Sequence, residues 1–361
     1  MKTFFILLIF TFSLSAEQFL YVTASGDQAI EVYKINSIDG NLELHQKVSV
    51  KGQPGNGSLS PDRKFYYVAI RSKGSLGIYT YKIEEDAKLK QLAFASTPGN
   101  CGFLDIDKTG KYIFASHYGE GSISCYELEE GVYKGKVLKF EKTDERAHCI
   151  RVDRNNKYVY VPHTSPNKVY QFKFNDGVFT ALTPSYASGP DTENSYHEPR
   201  HFVFHPQKNL IYTSNERGGG ISSWKIMEEG NLSLWQTFSS LPKGFNWNAA
   251  ASDIQISSNG RFAYVANRDN TNRKSPTGND SIASFLIDEK SGEIVKRTGI
   301  TPVGRHPRSL RIDATGKFLY GAGVHSSNIT QYSINQQDGT LTKVKEFKTG
   351  KGPMWLTCLE K

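Results

Sequence analysis

The stretch Ser257–Val265 reads SSNGRFAYV and joins a polar turn, SSNGR, to a short strand, FAYV. Asn and Gly allow the backbone conformations of a tight reversal, and the aromatic and β-branched residues that follow favour a buried strand. Six further strands of this kind occur along the chain. They are FLYV (Phe19–Val22), FYYV (Phe65–Val68), YIFA (Tyr112–Ala115), YVYV (Tyr158–Val161), LIYT (Leu210–Thr213) and FLYG (Phe318–Gly321).

The seven copies recur at a regular spacing, because their third residues stand at positions 21, 67, 114, 160, 212, 264 and 320. Each copy continues into an alternating segment such as SIASFLI (Ser281–Ile287), and most follow a short apolar segment such as DIQIS (Asp253–Ser257). Alternation with a period of two is typical of half-buried strands, and repeats of this length are typical of propeller blades. The sequence therefore predicts an all-β fold, a seven-bladed β-propeller of four-stranded blades.

The two ends of the chain complete this prediction. The first copy lacks a preceding strand, whereas the C-terminus carries an additional one, MWLTCL (Met354–Leu359). We expect that strand to become the innermost strand of the blade that Phe19–Val22 begins, which would close the ring and remove open sheet edges. A closed ring satisfies its own edges, so we expect a monomer.

The N-terminal segment Met1–Ala16 reads MKTFFILLIFTFSLSA, with a basic residue, an apolar run and then small residues. This is the layout of a secretory signal peptide. We therefore predict a signal peptide at residues 1–16, a single propeller domain at residues 17–361, and a secreted or periplasmic location. The apolar run is too short to span a bilayer comfortably, so no stable membrane insertion is expected.

The composition restricts the partners of the protein. The net charge is +8 and the pI is near 9.0, which favours anionic ligands. Because the Lys and Arg residues are scattered and form no dense run, nucleic-acid binding is not expected. An even count of four cysteines in an exported chain permits disulfides, but all four lie in strand-like segments, which favours buried free thiols, and none has metal-binding spacing. No phosphate-binding loop of the GxxxxGK[ST] type occurs, and no cofactor is expected.

Strand direction indicates where polar residues converge. The innermost strand and the triplet strand of each blade are antiparallel, so the starts of the former and the ends of the latter lie on one face of the ring. The starts include Gly99-Asn100, Ala147-His148, Arg200-His201, Ser252-Asp253 and Arg308-Ser309, and the ends include Asn215-Glu216-Arg217 and Asn267-Arg268. Polar clusters on a rigid scaffold are where function usually lies. A single arginine at a strand end is commonly only a solvated charge, but convergence from separate repeats favours a functional site.

Several stretches of the chain resemble one family. They are EPRHFVFHP (Glu198–Pro206), SDIQISSNGRFAYVANR (Ser252–Arg268), HPRSLRIDATGKFLYGAGVHSSNITQYSI (His306–Ile334) and GKGPMW (Gly350–Trp355). In this order they are similar to the propeller-type 6-phosphogluconolactonases of the seven-bladed β-propeller lactonase family, to which a fungal carboxymuconate lactonizing enzyme is related. The resemblance covers essentially the whole chain after the predicted signal peptide.

The resemblance implies hydrolysis of a sugar δ-lactone, most simply 6-phosphoglucono-1,5-lactone, by a carboxylic-ester hydrolase that needs no cofactor or metal. It implies His148, Glu216, Arg200 and Arg268 as catalytic residues. His148 or Glu216 would be the general base, and the two arginines would stabilise the oxyanion or an anionic group of the substrate. From their positions at the same face, the residues predicted to bind the substrate are His201, Asn215, Asp253 and Arg308.

Two alternatives remain open at this point. The chain could be a non-catalytic propeller that binds a ligand or a protein, because a fold does not determine a function. It could also be a lactonase or cycloisomerase that acts on a carboxylated or unphosphorylated lactone.

Overall fold

The structure, a computed structural model, describes residues 16–72, 74–193, 196–272 and 278–361. Within these residues it contains 28 β-strands, numbered in chain order, and one short 3-10 helix (Ser25–Asp27). Except for its last residue, the predicted signal peptide lies outside the described residues.

The strands form seven antiparallel groups of four, in which each blade runs from an innermost strand to an outermost one. From the inside outward, blade 1 contains β28 (Pro353–Glu360), β1 (Gln18–Ala24), β2 (Ala29–Ile35) and β3 (Leu42–Ser49). Blade 2 contains β4 (Pro54–Leu59), β5 (Phe65–Ser72), β6 (Ser75–Ile83) and β7 (Leu89–Ser96). Blade 3 contains β8 (Cys101–Ile106), β9 (Tyr112–His117), β10 (Ser122–Glu129) and β11 (Val132–Lys142). Blade 4 contains β12 (Arg151–Val152), β13 (Tyr158–His163), β14 (Lys168–Asn175) and β15 (Val178–Ser188).

The remaining three blades follow the same order. Blade 5 contains β16 (His197–Phe204), β17 (Leu210–Arg217), β18 (Gly220–Ile226) and β19 (Leu232–Ser239). Blade 6 contains β20 (Ala249–Ile256), β21 (Phe262–Asp269), β22 (Ser281–Ile287) and β23 (Ile294–Pro302). Blade 7 contains β24 (Pro307–Ile312), β25 (Phe318–Gly323), β26 (Asn328–Ile334) and β27 (Leu341–Lys348). The predicted fold class is thus confirmed, and each predicted triplet lies in the second strand of its blade.

The C-terminal strand pairs as the sequence predicts. β28 is antiparallel to β1, with Phe19 opposite Leu359 and Val22 opposite Leu356. It also contacts the innermost strands of the two neighbouring blades, β24 and β4. Blade 1 is therefore assembled from both ends of the chain.

Burial decreases from the inner strands outward. β9 is buried along its whole length, whereas most residues of the outermost strand β27 are exposed. The outermost strands β11 and β27 carry several lysines, and lysines on an edge strand oppose pairing with another chain. Part of the basic charge of the protein therefore lies on these outermost strands.

The third residue of the triplet connects neighbouring blades. The hydroxyl of Tyr67 in blade 2 donates to the carbonyl of Gly131 in blade 3, at 2.8 Å. The hydroxyl of Tyr320 in blade 7 donates in the same way to Gly40 in blade 1, at 2.6 Å. A buried tyrosine hydroxyl needs such a partner, and here the partner fixes one blade against the next. Equivalent bonds are made by Tyr21, Tyr160 and Tyr212.

One predicted innermost strand is shorter than expected. The segment CIRVD forms only the two-residue strand β12, preceded by the bridge between Ala147 and His163. The carbonyl of Pro162 accepts from the backbone N–H of His148, at 3.0 Å. Because proline has no N–H to donate in return, the ladder is incomplete at this point. His148 is thus held at the start of the blade but outside a regular strand.

Candidate active site

A β-bulge lies near the start of the innermost strand in the blades. In blade 5, Pro199 is opposite Asn215 but Phe202 is opposite Thr213, so one additional residue stands between the two pairs. The same shift occurs in five other blades, and it also separates the bridge Ala147–His163 from the pair Arg151–Tyr160 in blade 4. A bulge redirects side chains and is frequent beside active sites. The first bulge residues are Gly55, Gly102, His148, Arg200, Ser252, Arg308 and Met354.

Blade 3 corrects one prediction. The register places Gly102 and Phe103 at its bulge, whereas the sequence analysis assigned Gly99 and Asn100 to the start of this strand. The error arises because the connecting segment before β8 has no apolar alternation by which to locate the strand start. In blades 5, 6 and 7 the predicted pairs begin at the first bulge residue, and in blade 4 the predicted pair Ala147-His148 begins one residue before it.

The backbone before the bulge is unusual in four blades. Arg146, Glu198, His306 and Gly352, each two residues before the first bulge residue, have φ between 55° and 66°. Positive φ is disfavoured for side chains other than glycine. The surrounding sheet therefore imposes a conformation that turns the chain sharply as it enters the channel, where His148, Arg200 and Arg308 follow.

Glu216 is held by two arginines. Arg268 Nη2 donates to Glu216 Oε1 at 2.7 Å, and Arg200 Nε lies 3.7 Å from the same oxygen. The arginine side chains are 3% and 1% exposed, whereas that of Glu216 is 23% exposed and lies at the end of β17. Burial raises the pKa of Glu216, but Arg268 and Arg200 outweigh it and hold this pKa far below its usual range. Glu216 is therefore an ionised carboxylate at working pH.

Backbone carbonyls fix the two arginines further. Arg200 Nη1 donates to the carbonyl of Ser252 at 2.7 Å, and Arg268 Nη2 donates to that of Ala251 at 2.9 Å. Burial, followed by the charge of Arg268, lowers the pKa of Arg200 to about 10, so it remains charged. These contacts tie blades 5 and 6 together around Glu216.

His148 lies beside this ion-pair group as a neutral imidazole. Its ring stands edge-on to that of His201 with centroids 5.0 Å apart, and Tyr118 packs on another side at 5.3 Å. Burial is the largest cause that lowers the pKa of His148 well below 6.5, and Arg200 adds to it. Its Nδ1 is buried and finds no hydrogen-bond partner among the described residues. The ring can therefore accept a proton.

His201 also faces the channel, although alternation alone could not decide this. Its Nδ1 lies 3.0 Å from Asp253 Oδ1, and the backbone N–H of Leu310 donates to Asp253 Oδ2 at 2.8 Å. Asp253 is almost fully buried, so its contacts favour a role in orienting His201, and its predicted role in substrate binding stays a prediction. The ring of His201 meets Phe103 and Trp355 edge-on, with centroid distances of 5.2 and 5.8 Å. The rings of His201, Phe103 and Trp355 form one packed group below the opening of the channel. We call this opening the mouth.

Asn215 is directed into its blade. Its Nδ2 donates to Ser222 Oγ at 2.8 Å, and its Oδ1 accepts from Thr213 Oγ1 at 3.1 Å. The side chain is fully buried. A role for Asn215 in substrate binding stays a prediction, and these contacts favour a structural role.

The guanidinium group of Arg308 forms no ion pair with a carboxylate within the part of the chain that the structure describes, although the charge of Glu216 acts on it at longer range. It occupies the bulge of blade 7, at the position equivalent to His148 and Arg200. Burial and then the charges of Arg200 and Arg268 lower its pKa well below 12.5.

The two arginines that form ion pairs with Glu216 are Arg200 and Arg268. We call these two arginines, together with Glu216 and His148, the paired side of the mouth.

Arg71 is a site residue that the sequence analysis missed. It stands six residues after the start of β5, as Glu216 does in β17 and Arg268 in β21. Its Nε is buried and finds no partner among the described residues. The shared repeat position was the signal that could have found it. We call Arg71 and Arg308 the unpaired side of the mouth.

Other classes of site were sought in the described residues. No group of three His, Cys, Asp or Glu side chains there is arranged to hold a metal ion. Within the same residues, no helix is long and apolar enough to cross a membrane. All four cysteines are free thiols, as predicted, and Cys101, Cys125 and Cys149 are buried.

Comparison with known proteins identifies relatives. Residues 20–358 match the family described as "Lactonase, 7-bladed beta-propeller". The chain is 30% identical over 347 residues to the 6-phosphogluconolactonase of Serratia proteamaculans, covering 96% of this chain and 100% of that protein. It is 30% identical over 343 residues to the 6-phosphogluconolactonase of Yersinia pseudotuberculosis serotype O:3, covering 94% and 98%.

Solved structures show the same fold. The periplasmic gluconolactonase of Pseudomonas aeruginosa has a TM-score of 0.85 at 20% identity, covering 95% of this chain and 99% of that chain. A protein from Lactobacillus plantarum has a TM-score of 0.83 at 19% identity, covering 96% and 100%. At this identity the likeness extends to the fold alone.

Proposed function

The chain belongs to the lactonase family of seven-bladed β-propellers, and we propose that it hydrolyses 6-phosphoglucono-1,5-lactone to 6-phosphogluconate. The similar proteins from Serratia and Yersinia are named 6-phosphogluconolactonase, and their alignments cover nearly the whole of this chain. The observation that carries the proposal is a neutral imidazole, His148, beside a carboxylate that two buried arginines hold in place. A protein that only binds a partner would not need this arrangement in its channel.

The reaction needs a base and a cationic environment. The oxygen of a water molecule attacks the lactone carbonyl carbon and forms a tetrahedral oxyanion. The bond between that carbon and the ring oxygen then breaks, and its electron pair stays on the ring oxygen. This oxygen takes a proton and becomes the C5 hydroxyl, while the new carboxylic acid releases a proton to solvent.

The charges favour His148 over Glu216 as the base. Both groups have a lowered pKa, but Glu216 is already engaged by Arg268 at 2.7 Å, whereas Nδ1 of His148 has no hydrogen-bond partner among the described residues. His148 is neutral, and its lowered pKa keeps it so even in mildly acidic solution. It would take the proton from water and return it to the ring oxygen. The negative charge of Glu216 favours the imidazolium that forms in between.

Arg200 and Arg268 are suited to the oxyanion. Both are nearly fully buried and anchored on backbone carbonyls, so little reorganisation is needed when charge develops on the substrate. The role of Glu216 is to hold both guanidinium groups toward the mouth. Asp253 orients His201, and the ring of His201 packs against the ring of His148.

The test is hydrolysis of freshly generated 6-phosphoglucono-1,5-lactone by purified protein, counted above the spontaneous rate. We expect the wild type to accelerate the reaction and His148→Ala to lose about 10²- to 10⁴-fold in kcat. The matched control is His45→Ala, because His45 lies on the outermost strand β3. A His148→Ala variant that keeps the wild-type rate would overturn this role.

Glucono-1,5-lactone is the second substrate to test, because the similar Pseudomonas structure is of a gluconolactonase. The proposal predicts a higher kcat/KM for the phosphorylated lactone. A folded protein that is active on the unphosphorylated lactone alone would keep the chemistry and change the substrate.

We also propose that the protein acts after export, on the pattern of Met1–Ala16. Mass spectrometry of the N-terminus of the natural protein provides the test. A mature chain that starts near Ala16 or Glu17 would support export, and an intact Met1 would overturn it.

A further inference from the structure

The channel mouth holds more positive charge than its own carboxylate can balance. Four guanidinium groups are directed to it, and among the described residues Glu216 alone forms ion pairs with any of them. Glu216 forms ion pairs with Arg200 and Arg268, and it acts on Arg308 only through its charge at longer range. Arg71 and Arg308 are left without an acidic partner, although both are only partly accessible to solvent.

Arg308 is positioned by the fold to face the mouth. It is the additional residue between the pairs Pro307–Gly323 and Ser309–Ala322. The equivalent residues of blades 4 and 5 are His148 and Arg200, which both belong to the paired side. Arg308 lowers the pKa of His148 through its charge, which agrees with a place beside that ring.

Arg71 reaches the mouth across a glycine. A Cβ atom at Gly55 would lie 2.5 Å from Arg71 Cδ and 3.2 Å from its Cγ. Gly55 is the first bulge residue of blade 2, so Arg71 fills the space that a side chain from the innermost strand takes in other blades. After burial and the charges of Arg200 and Arg268, the charge of Arg71 also lowers the pKa of Arg308, which places Arg308 within electrostatic reach of Arg71 as well as of the paired side.

Two partly buried cations without an anion are unfavourable in a folded protein. A bound anion would remove this penalty and restore the pKa of both groups. Glu120 lies between β9 and β10, where its Oε1 accepts from the backbone N–H of Asn100 at 2.9 Å and its Oε2 has no hydrogen-bond partner among the described residues. No ion pair joins it to Arg71 in the described residues.

We propose that Arg71 and Arg308 form the phosphate-binding subsite of the mouth and select a phosphorylated lactone over an unphosphorylated one. This rests on the proposed function. A phosphomonoester carries nearly two negative charges near neutral pH and offers oxygens that match the guanidinium fork. In the lactone, only the ring oxygen, C5, C6 and the ester oxygen separate phosphorus from the carbonyl carbon. The subsite must therefore adjoin His148 and Arg200, as Arg308 does.

The test compares Arg71→Met and Arg308→Met with the wild type on both lactones. We expect each variant to lose about ten- to hundredfold in kcat/KM on 6-phosphoglucono-1,5-lactone. On glucono-1,5-lactone we expect a change below about threefold, because no phosphate is present to lose the contact. The matched control is Arg217→Met, because Arg217 is an exposed arginine of the same rim that pairs with Glu198 at 3.5 Å. Equal losses on both lactones would overturn the subsite.

Binding measured without turnover separates this proposal from the proposed function. Calorimetry with 6-phosphogluconate, inorganic phosphate and gluconate should show that the wild type and Arg217→Met bind the two phosphate-containing ligands more tightly than gluconate. Arg71→Met and Arg308→Met should lose that preference. A protein that binds 6-phosphogluconate through both arginines but hydrolyses neither lactone would retain the subsite and overturn the lactonase. Lactone hydrolysis with no phosphate preference in binding would retain the lactonase and overturn the subsite.

Thermal unfolding provides a readout that a structural role would not give. If Arg71 and Arg308 serve a ligand, their replacement by Met should leave the melting temperature unchanged or higher without phosphate. Phosphate should raise the melting temperature of the wild type and of the control Arg217→Met, but not that of Arg71→Met or Arg308→Met. A lower melting temperature in both variants would indicate structural arginines and overturn the proposal.

Discussion

On one side of the channel mouth Arg200 and Arg268 share the carboxylate of Glu216, whereas on the other side Arg71 and Arg308 share none among the described residues. The two sides use equivalent positions of the repeat, the bulge of the innermost strand and the end of the second strand. Glu216 thus breaks the symmetry. It converts two cations into fixed parts of the protein and leaves the other two for a ligand.

The largest effect should come from removing the carboxylate itself. Glu216→Gln keeps the shape but releases Arg200 and Arg268 from their shared partner, so we expect kcat/KM to fall about 10²- to 10³-fold on both lactones. Glu198→Gln is the matched control, because Glu198 pairs only with the exposed Arg217. A loss restricted to the phosphorylated lactone would place Glu216 with the phosphate and not with the reacting carbonyl.

The next largest effect concerns the free energy of unfolding, which should respond differently to substitutions on the paired and the unpaired side of the mouth. Arg268→Met leaves Glu216 with a single, longer contact, to Arg200 at 3.7 Å, and should lower the free energy of unfolding by about 3 kcal/mol. Arg308→Met removes a cation that has no partner and should not lower it. Denaturant unfolding of both variants provides the measurement. Equal destabilisation would mean that Arg308 has a structural partner and that the contrast is wrong.

A smaller effect is expected from Gly55→Ala. The new Cβ would lie 2.5 Å from Arg71 Cδ, so the arginine must shift while the paired side stays in place. We expect about a tenfold loss of kcat/KM on the phosphorylated lactone, the size of one weakened charged hydrogen bond. Gly102→Ala is the control, because its added Cβ would meet no atom closer than 3.5 Å. Equal effects of the two changes would argue against this role of Gly55.

The smallest effect concerns pH. A histidine with an ordinary pKa would be half protonated at pH 6.5, but the pKa of His148 is lowered. The neutral base therefore persists as the pH falls through 6.5, and kcat/KM should decline only below that value. Glucono-1,5-lactone is the substrate to use, because the phosphate group itself titrates near pH 6. A half-maximal rate at pH 6.5 or above would contradict His148 as the base.

The sequence predicts the fold well because its strongest signal is local. The triplets and their polar turns mark the second strand of each blade, and strand direction then brings His148, Arg200, Glu216 and Arg268 to one face. The structure brings these four residues together at that face.

The details of the site depend on bulges and on contacts between blades, and the two-residue alternation of the sequence does not reveal either. The bulge adds one residue, so alternation cannot decide whether His201 faces the channel or the blade. The state of Glu216 depends on distances between residues of blades 5 and 6, which are far apart in the chain. Arg71 was missed because a strand-end arginine is usually a solvated charge, and only the glycine beside it distinguishes this one.

The most direct test of this division of the mouth is a crystal structure of the wild-type protein with the product, 6-phosphogluconate, bound. The account predicts the phosphate on Arg71 and Arg308, and the carboxylate, formed from the lactone carbonyl, within hydrogen-bond distance of His148 and Arg200. A phosphate seated on Arg200 and Arg268, or a ligand bound away from the mouth, would contradict it.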